Sequence, residues 1–597
     1  MKLKILPACL VALPTAAALA ACAGSTSSAS QAVQAAASNA LAVSPEPGTP
    51  DASPSTQISF LGTAGTRVTS VHVVGSRSGN HGGVLRAYST GTGESFLPSH
   101  SFSAGEHVSV TASVSTGAGT SQVRTSFTIA HQAPVSQKQF PTSPGDPHAV
   151  QRYSTTPSFA PSTVHITTPA KGGAAPGDLF LAPYQGVGTA GPMITEQNGS
   201  LVWFHPLPAG EAATNFRVQE YEGKPVLSWW QGHILEVGFG QGEDEIYNTS
   251  YEPVARVRAG NGYHADLHEI RLSGENTAWI DMFDPIYMNL SSVHGAANGV
   301  ILDSVVQEID VKTGLVMWEW HALGHIPPAE SYKPVSHSSS PWDYVHINSV
   351  DPGTNGDVLL SSRSTWGLYD VDLHSGAIRW RLGGKHSSFK QGAGTQFYWQ
   401  HDAEFQPRGL VSVFDNGSDP PKEKQSRGLL ISANTATHRA TLVKQFANPS
   451  TTLLASSQGN TLSLPGGDWL MGYGGLPNFT EYDSSGHVLL DGTLGKNVQD
   501  FRTYLAPWSA QPKSVPSVIA KPAGSGLSVS VSWNGATNVA GWRVLAGTSF
   551  GSLAPVATTA KSGFQTTLSA AGAGPYVAVQ ALDASGAVLA VSATVKA

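Results

Sequence analysis

Residues 343–382 read DYVHINSVDPGTNGDVLLSSRSTWGLYDVDLHSGAIRWRL, and this stretch decides the fold. Its short apolar runs are separated by turns that contain Gly, Pro or Asn, which is typical of consecutive strands. The runs are His346 to Val350, Asp357 to Arg363, Gly367 to Leu373 and Ala377 to Leu382. Because strands joined by tight turns are antiparallel, the stretch predicts one four-stranded sheet.

A hairpin like the last one of this sheet recurs along residues 150–510. An acidic or polar strand turns into a strand that often bears Trp, most clearly over 194–204, 308–318 and 369–380. Weaker copies span 245–251, 430–438 and 481–489. A period of roughly 50 to 60 residues is that of a four-stranded propeller blade with loop insertions. The copies predict an all-β fold with a six-bladed β-propeller over 150–510.

The segments on either side of the propeller predict two small β-sandwich domains. Residues 56–132 alternate in strand fashion, which favours an Ig-like sandwich. Residues 515–597 alternate in the same way, and Trp533 and Trp542 resemble the tryptophan pair in the core of fibronectin type III domains. Gly (64) and Pro (39) are plentiful while charged residues make up 13%, a composition that favours short strands and turns over long helices.

The N-terminus predicts export and a lipid anchor. Lys2 and Lys4 precede an apolar run, as in a secretory signal peptide over residues 1–21. Leu19-Ala20-Ala21-Cys22 resembles the lipobox of bacterial lipoproteins, so Cys22 is the predicted lipidation site. The alternative is an ordinary signal peptide cleaved after a small residue. Residues 22–55 have almost no aromatic residues and predict a disordered tether.

This reading places the protein outside the cytoplasmic membrane, anchored to it as a lipoprotein. Cys9 lies inside the signal, so the mature chain would keep only Cys22 and could form no intrachain disulfide. A formal net charge of -7 offers no basic stripe of the kind that nucleic acid requires. Nucleic acid is therefore not an expected partner, and the sequence does not indicate an oligomeric state.

Three histidines, His268, His346 and His401, each open the first strand of a predicted blade. The start of a first strand and the end of an antiparallel second strand lie on the same face of the propeller. We therefore expect the three histidines to meet Arg363, which ends a second strand, at one mouth of the central channel. Any one of them could simply hydrogen-bond a loop, but recurrence on three successive blades favours a shared site.

Further polar residues are expected at the same mouth. Asn348 lies two residues after His346 and would share its strand face, and Asp415 and Asn416 end the second strand of the next blade. Imidazoles with an Arg suit an anion, and they favour sulfuryl or phosphoryl transfer over glycoside hydrolysis, which usually needs paired carboxylates. A zinc site on the histidines is the less favoured alternative, because Arg363 would oppose a cation.

An ordered set of motifs in this region resembles the propeller-type arylsulfotransferases of bacteria and fungi. The motifs are Asp266-Leu-His-Glu-Ile270, Asp343-Tyr-Val-His-Ile-Asn-Ser349, Leu360-Ser-Ser-Arg363, Trp380-Arg-Leu-Gly-Gly384, Gln400-His-Asp402, Phe414-Asp-Asn-Gly417 and Ser426-Arg-Gly428. The resemblance implies transfer of a sulfuryl group from an aryl sulfate ester to a phenolic acceptor, without a nucleotide donor. It also implies a ping-pong mechanism through a sulfohistidine, with no metal and no organic cofactor.

The resemblance assigns roles residue by residue. It implies that His401 is the nucleophile, and that His268, His346, Asn348 and Arg363 hold the sulfuryl oxygens and assist proton transfer. One departure concerns a late blade, where better-characterised members use a Lys and a Thr and this chain reads Leu470-Met-Gly-Tyr-Gly-Gly475.

Two other functions compete with the enzyme. The first is a non-catalytic surface propeller that binds an anionic glycan or another protein. The second is a quinone-dependent dehydrogenase, which is disfavoured because the vicinal cysteines and calcium-binding carboxylates of such enzymes are missing from the pattern.

Overall fold

A computed structural model describes residues 41–143, 145–335, 340–571 and 574–597. The predicted signal peptide 1–21, Cys22 and the predicted tether as far as residue 40 lie outside the described residues. Helix is confined in the described chain to short 3-10 turns, and none of its helices has the length and apolar character needed to cross a membrane. These turns are Ser291–Val293, Ala322–Gly324, Pro328–Glu330 and Pro465–Gly467.

The strands fall into three consecutive groups. The N-terminal group is β1 Ala42–Ser44, β2 Ile58–Leu61, β3 Arg67–Gly75, β4 Gly79–His81, β5 Gly83–Ala87, β6 Gly93–Pro98, β7 His107–Thr116 and β8 Gly119–Thr128. The C-terminal group is β37 Ser517–Ala523, β38 Gly526–Ser532, β39 Gly541–Ser549, β40 Ser552–Ala560, β41 Gln565–Ala571, β42 Tyr576–Leu582, β43 Val588–Val591 and β44 Val595–Lys596.

The central group forms the propeller. Its strands are β9 Val164–Thr168, β10 Asp178–Leu181, β11 Pro183–Tyr184, β12 Met193–Thr195, β13 Leu201–Phe204, β14 Ala212–Tyr221, β15 Lys224–Ile234, β16 Gly240–Tyr247, β17 Pro253–Val257, β18 Ile270–Leu272, β19 Thr277–Met288, β20 Gly299–Asp310, β21 Leu315–His321, β22 Ile347–Pro352, β23 Asp357–Ser362, β24 Gly367–Asp372, β25 Ile378–Gly383, β26 Lys390–Gln391, β27 His401–Gln406, β28 Leu410–Asp415, β29 Arg427–Asn434, β30 Arg439–Phe446, β31 Asn460–Ser463, β32 Trp469–Gly472, β33 Asn478–Tyr482, β34 Val488–Leu494, β35 Gln499–Asp500 and β36 Tyr504–Ala506.

Six antiparallel sheets make the six predicted blades. Blades 1 to 3 are β14–β17, β18–β21 and β22–β25, blade 4 is β27–β30 with β26 at its edge, and blade 5 is β31–β34 with β9 at its edge. Blade 6 has the order β13-β12-β10-β36, so a strand from the end of the propeller completes the sheet that begins it. The innermost strands of neighbouring blades contact one another around the ring.

Buried tryptophans fill the spaces between blades. Trp230 and Trp320 are fully buried. Trp320 Nε1 in blade 2 donates to the carbonyl of Gly376 in blade 3 at 3.0 Å, and Trp230 Nε1 donates to the carbonyl of Ala265 at 2.9 Å. Each indole therefore contributes both apolar area and a satisfied hydrogen bond at a blade boundary.

The N-terminal sandwich begins earlier than the sequence predicts. Its sheets have the orders β1-β2-β6-β5 and β4-β3-β7-β8. The predicted tether 22–55 is wrong for residues 41–55, because β1 pairs with β2 and Ser44 Oγ accepts the backbone N–H of Glu319 in blade 2 at 2.9 Å. The segment has too few apolar residues to fold alone, but it adds a strand to an existing sheet and lies against the propeller.

The C-terminal strands form a second sandwich, with sheets β37-β38-β41 and β40-β39-β42-β43, and β44 added to β42. Asn534 fastens this sandwich to the propeller, because it accepts the N–H of Phe204 at 3.0 Å and donates to the carbonyl of the same residue at 3.0 Å. The resemblance to fibronectin type III domains stays a prediction.

Candidate active site

The structure brings His268, His346 and His401 together at one mouth of the ring. His401 begins β27, His346 immediately precedes β22, and His268 lies two residues before β18. All three are buried, and one ring nitrogen from each lies within 4.8 Å of the others. The ring centroids of His268 and His346 are 4.7 Å apart, and those of His346 and His401 are 6.3 Å apart.

Each of the three imidazoles has its Nδ1 fixed by a side chain. His268 Nδ1 contacts the carboxylate of Asp266, and His346 Nδ1 lies 2.6 Å from Asp343 Oδ2. His401 Nδ1 lies 2.7 Å from Asn416 Oδ1. A partner on Nδ1 orients the ring and decides which nitrogen carries the proton, so Nε2 is the nitrogen that each ring offers to a ligand.

The tautomer of His401 follows from the orientation of Asn416. Asn416 Nδ2 donates to the carbonyls of Gln458 at 2.9 Å and Ala455 at 3.3 Å. Its Oδ1 must then face His401 and can only accept a hydrogen bond. His401 therefore donates from Nδ1, and its Nε2 carries a lone pair, which accepts the backbone N–H of Gln458 at 3.2 Å.

Electrostatics keep two of the imidazoles neutral. Burial, followed by the charges of Arg363 and His346, lowers the pKa of His401 well below its ordinary value. Burial also lowers the pKa of His346 to about 4, although Asp343 acts in the opposite direction. At neutral pH both rings are therefore uncharged, and the Nε2 lone pair of His401 can attack an electrophile once it exchanges the Gln458 N–H for the substrate.

Arg363 supplies a cation beside the histidines. Its NH2 donates to the carbonyl of Ser456 at 3.1 Å, its guanidinium carbon lies 5.1 Å from the ring centre of Trp399, and its Nε has no hydrogen-bond partner. Burial lowers the pKa of Arg363, yet the group remains a cation at neutral pH. A half-buried positive charge with an unused, buried Nε donor is suited to an anionic group.

Asn348 does not follow the strand geometry that the sequence predicts. His346 has φ +58 and the pairing register shifts between Ile347 and Ser349, so the regular two-residue alternation fails here. Asn348 Nδ2 donates to the carbonyl of Gln400 at 2.8 Å, and its Oδ1 has no partner. The residue links blade 3 to blade 4 next to His401.

The structure gives Asp415 and Asn416 protein partners, and their substrate-binding role stays a prediction. Asp415 accepts from Arg427 Nη2 at 2.6 Å and from the backbone N–H of Tyr398 at 2.9 Å, so both of its oxygens are engaged within the protein. Asn416 contacts His401 and orients its ring. Both side chains are buried on the protein side of the site.

A protein-family model matches the central part of the chain. Residues 217–495, from the first strand of blade 1 to the end of blade 5, match the model described as Arylsulfotransferase (ASST). This segment is similar to the arylsulfotransferase family. The arylsulfotransferase region contains the three histidines, Arg363 and Asn416, and its match supports an arylsulfotransferase-type function in general.

Solved structures similar to the chain are distant in sequence. A protein of unknown function from Bacteroides caccae is 12% identical, covering 55% of this chain and 98% of its own, with a TM-score of 0.34. Virginiamycin B lyase from Staphylococcus aureus is 10% identical, covering 57% and 88%, with a TM-score of 0.25. Among curated proteins no match was found. Similarities this low carry no inference about function.

Arg502 is a residue of the site that sequence reasoning missed, and it lies outside the arylsulfotransferase match. Its NH1 donates to Glu269 of blade 2 at 3.0 Å, its NH2 donates to the carbonyl of Asn348 in blade 3 at 2.8 Å, and its Nε lies 3.3 Å from Asp402 of blade 4. No spacing within a repeat could reveal it, because it comes from the segment that closes the ring.

Asp266 and Asp343 could have been found from the sequence. Each precedes a histidine by two or three residues within the motifs that resemble arylsulfotransferases.

The arrangement of three histidine nitrogens with fixed Nδ1 atoms would also fit a metal ion. Within the arylsulfotransferase region, however, the adjacent Arg363 opposes a cation and favours an anion.

Proposed function

We propose that the protein is an aryl sulfate:phenol sulfotransferase in which His401 carries the sulfuryl group between donor and acceptor. The observation that carries this proposal is the state of His401: a neutral imidazole whose Nδ1–H is held by Asn416, whose Nε2 carries a lone pair, and whose pKa is lowered by the charge of Arg363. The family of the surrounding region supports the same reaction class.

In the first half-reaction, Nε2 of His401 attacks the sulfur of an aryl sulfate ester. The N–S bond forms while the bond between sulfur and the aryl oxygen breaks, and its electron pair leaves on the phenolate. The proton stays on Nδ1 of His401 throughout and remains hydrogen-bonded to Asn416 Oδ1. The positive charge of the sulfated ring is therefore stabilised by an acceptor that is already in place.

In the second half-reaction, the oxygen of an acceptor phenol attacks sulfur. The new O–S bond forms, the N–S bond breaks, and the electron pair returns to Nε2 of His401. The phenolic proton passes to Nε2 of His346 or His268, whose Nδ1 atoms face Asp343 and Asp266. A carboxylate at Nδ1 stabilises the imidazolium that this transfer produces.

Arg363 is proposed to bind the sulfuryl oxygens in both half-reactions. The neutral His346 can donate to these oxygens only after it takes up a proton, and a bound sulfate ester favours that uptake because it is an anion. Asn348 donates one amide hydrogen to the carbonyl of Gln400 and has an unused Oδ1, so it links blade 3 to blade 4 beside His401 and remains a proposed substrate ligand.

We further propose an extracytoplasmic location with a lipid anchor on Cys22, supported by the signal-like sequence that precedes it. Incorporation of labelled palmitate into the full chain, and its loss in Cys22→Ala, is the expected result. Equal labelling of the two proteins would contradict the anchor.

The enzyme proposal is tested with p-nitrophenyl sulfate and phenol, by following nitrophenol release and by mass spectrometry of the peptide that contains His401. An acid-labile sulfuryl adduct is expected on this peptide in the absence of acceptor. His401→Ala should lose adduct and release, whereas His374→Ala, which changes an exposed turn histidine, should retain both. Release of more than one equivalent of nitrophenol per chain without phenol, or release that persists in His401→Ala, would contradict the proposal.

A further inference from the structure

A second cluster of buried titratable groups lies where the N-terminal sandwich meets blade 2. It consists of Asp51 from the sandwich segment, Asp303 from β20 and His321 at the end of β21. One ligand atom from each lies within 4.8 Å of the others, and none of the three is more than 3% exposed. The cluster shares no residue with the histidine site.

The imidazole of His321 is held with Nδ1 towards two carboxylates. Nδ1 lies 3.1 Å from Asp303 Oδ2 and 3.4 Å from Asp51 Oδ1. On the other side of the ring, Nε2 lies 3.2 Å from Glu319 Oε1. The other oxygen of Glu319 is fixed, because it accepts Gln307 Nε2 at 2.5 Å and Asn261 Nδ2 at 2.7 Å.

Several polar atoms around this point are buried without a hydrogen bond. They include both carboxylate oxygens of Asp51, Oδ2 of Asp284 and the hydroxyl of Tyr263. Asp51 and Asp284 are only 2% and 1% exposed. Buried carboxylates without partners are costly, because the charge has lost its water and gained no compensating group.

Positive charge is scarce at the cluster. Within the described part of the chain, no Lys or Arg forms an ion pair with Asp51, Asp284, Asp303 or Glu319, and His321 is the only basic group that does. A single basic group therefore stands among four buried acidic side chains.

We propose that Asp51, Asp303 and His321 bind a divalent cation, with Zn²⁺ as the best fit. A tetrahedral zinc ion with bonds of about 2.0 to 2.1 Å separates its ligand atoms by about 3.3 Å, which the observed 3.1 and 3.4 Å bracket. An imidazole ligand favours zinc over calcium or magnesium. Glu319 would then accept the Nε2–H of His321, the usual arrangement behind a metal-bound histidine.

The site would join two domains. Asp51 belongs to the segment that precedes β2, whereas Asp303 and His321 belong to blade 2. A cation bound here would neutralise the carboxylates and link the N-terminal sandwich to blade 2. None of its ligands belongs to the blade that contains His401.

The test measures zinc in the purified full-length protein after saturation with ZnCl₂ and removal of free metal. His268→Ala is used as the host, so that neither the three-histidine site nor the group formed by Asp266, His268 and Asp281 can hold zinc with its full set of ligands. We expect one retained zinc per chain, with an X-ray absorption spectrum that fits one imidazole and oxygen ligands. Adding Asp51→Asn and Asp303→Asn should abolish retention, whereas the surface change Asp483→Asn should not.

Two results would overturn the proposal. The first is no retained zinc in the host, which would mean that protons shared between the carboxylates satisfy the cluster. The second is zinc with more than one imidazole ligand, which would place the ion elsewhere. The absorption spectrum decides between one and several imidazoles even if the asparagine variants fail to fold.

Discussion

Asn416 accepts a hydrogen bond from His401 Nδ1 at 2.7 Å only because its own amide nitrogen is engaged by the carbonyls of Gln458 and Ala455. Backbone atoms of the connection into blade 5 therefore determine the tautomer of a side chain in blade 4. The proposed nucleophile depends on a neighbour whose role is purely one of orientation.

Replacing Asn416 should alter the pH dependence of sulfuryl transfer. Asn416→Asp places a carboxylate at Nδ1 and raises the pKa of His401, so the acid limb of kcat/KM should move to higher pH. Asn416→Ala should lower kcat about 10- to 100-fold without this shift, a typical effect of losing a group behind a functional histidine. Superimposable pH profiles for the wild type and Asn416→Asp would contradict the proposed role.

Arg363 should act through its charge and through its shape. Arg363→Gln is expected to lower kcat/KM for p-nitrophenyl sulfate by about 10²- to 10³-fold, the usual effect of removing one donor from a site that stabilises an oxyanion. It should also raise the pKa of His401, since Arg363 lowers that pKa. Arg363→Lys keeps the charge but loses the planar guanidinium, so its kcat/KM should lie between those of the wild type and Arg363→Gln. Equal rates for Gln and Lys variants would exclude a charge effect.

Arg502 should matter for stability more than any exposed arginine. Burial raises the pKa of Glu269, but the charges of Arg502, Arg217 and Arg271 lower it to about 2. Arg502→Gln removes the arginine with the largest electrostatic effect on Glu269. It should lower the free energy of unfolding by about 3 to 5 kcal/mol, as for other broken buried pairs. Arg379→Gln, which breaks the partly exposed pairs with Asp357 and Asp372, should cost less than about 1 kcal/mol.

The comparison of Arg502→Gln with Arg379→Gln is made by urea unfolding followed by tryptophan fluorescence. Similar shifts of the urea midpoint in both variants would contradict a special role for the central network.

His346 should make the folded state sensitive to acid. Its pKa is about 4 in the folded protein against 6.5 in the unfolded chain, so only the unfolded chain takes up this proton between those values. The stability that a neutral His346 contributes is present above about pH 6.5 and is lost as the pH falls to 4. The total loss in the free energy of unfolding is about 3 kcal/mol.

The matching variant is His346→Asn, whose amide can still donate to Asp343. Between about pH 7 and 4.5, it should lose about 2 kcal/mol less stability than the wild type. Other buried carboxylates also titrate in this range, so the difference between the two proteins is the quantity to measure. An identical loss would show that His346 is not buried in its neutral form.

The strands of blade 3 could be predicted because its loops are short and carry clear turn residues. The predicted second strand, Asp357 to Arg363, differs by one residue from the observed Asp357–Ser362. The convergence of the histidines could also be predicted, because the positions recur at one point of the repeat. Both inferences depend only on antiparallel pairing and on the period of the blade.

Other features could not be predicted because they depend on local irregularity or on distant contacts. The face of Asn348 was inferred from regular alternation, which the left-handed conformation of His346 interrupts. The engagement of Asp415 by Arg427 needs the pairing of β28 with β29. The folded part of the predicted tether depends on a sheet and a propeller that its own composition does not reveal.

The pairing of β36 with β10 joins Tyr504 to Phe180, residues that are more than half the length of the chain apart. Arg502 reaches the centre of the molecule through the same closing segment. Contacts between such distant residues form slowly and late. The ring can therefore still be open when most blades have formed, and in that state the chain exposes an unpaired strand edge and lacks the arginine that joins blades 2, 3 and 4. Reactivity at His401 is consequently expected to appear only after the ring has closed.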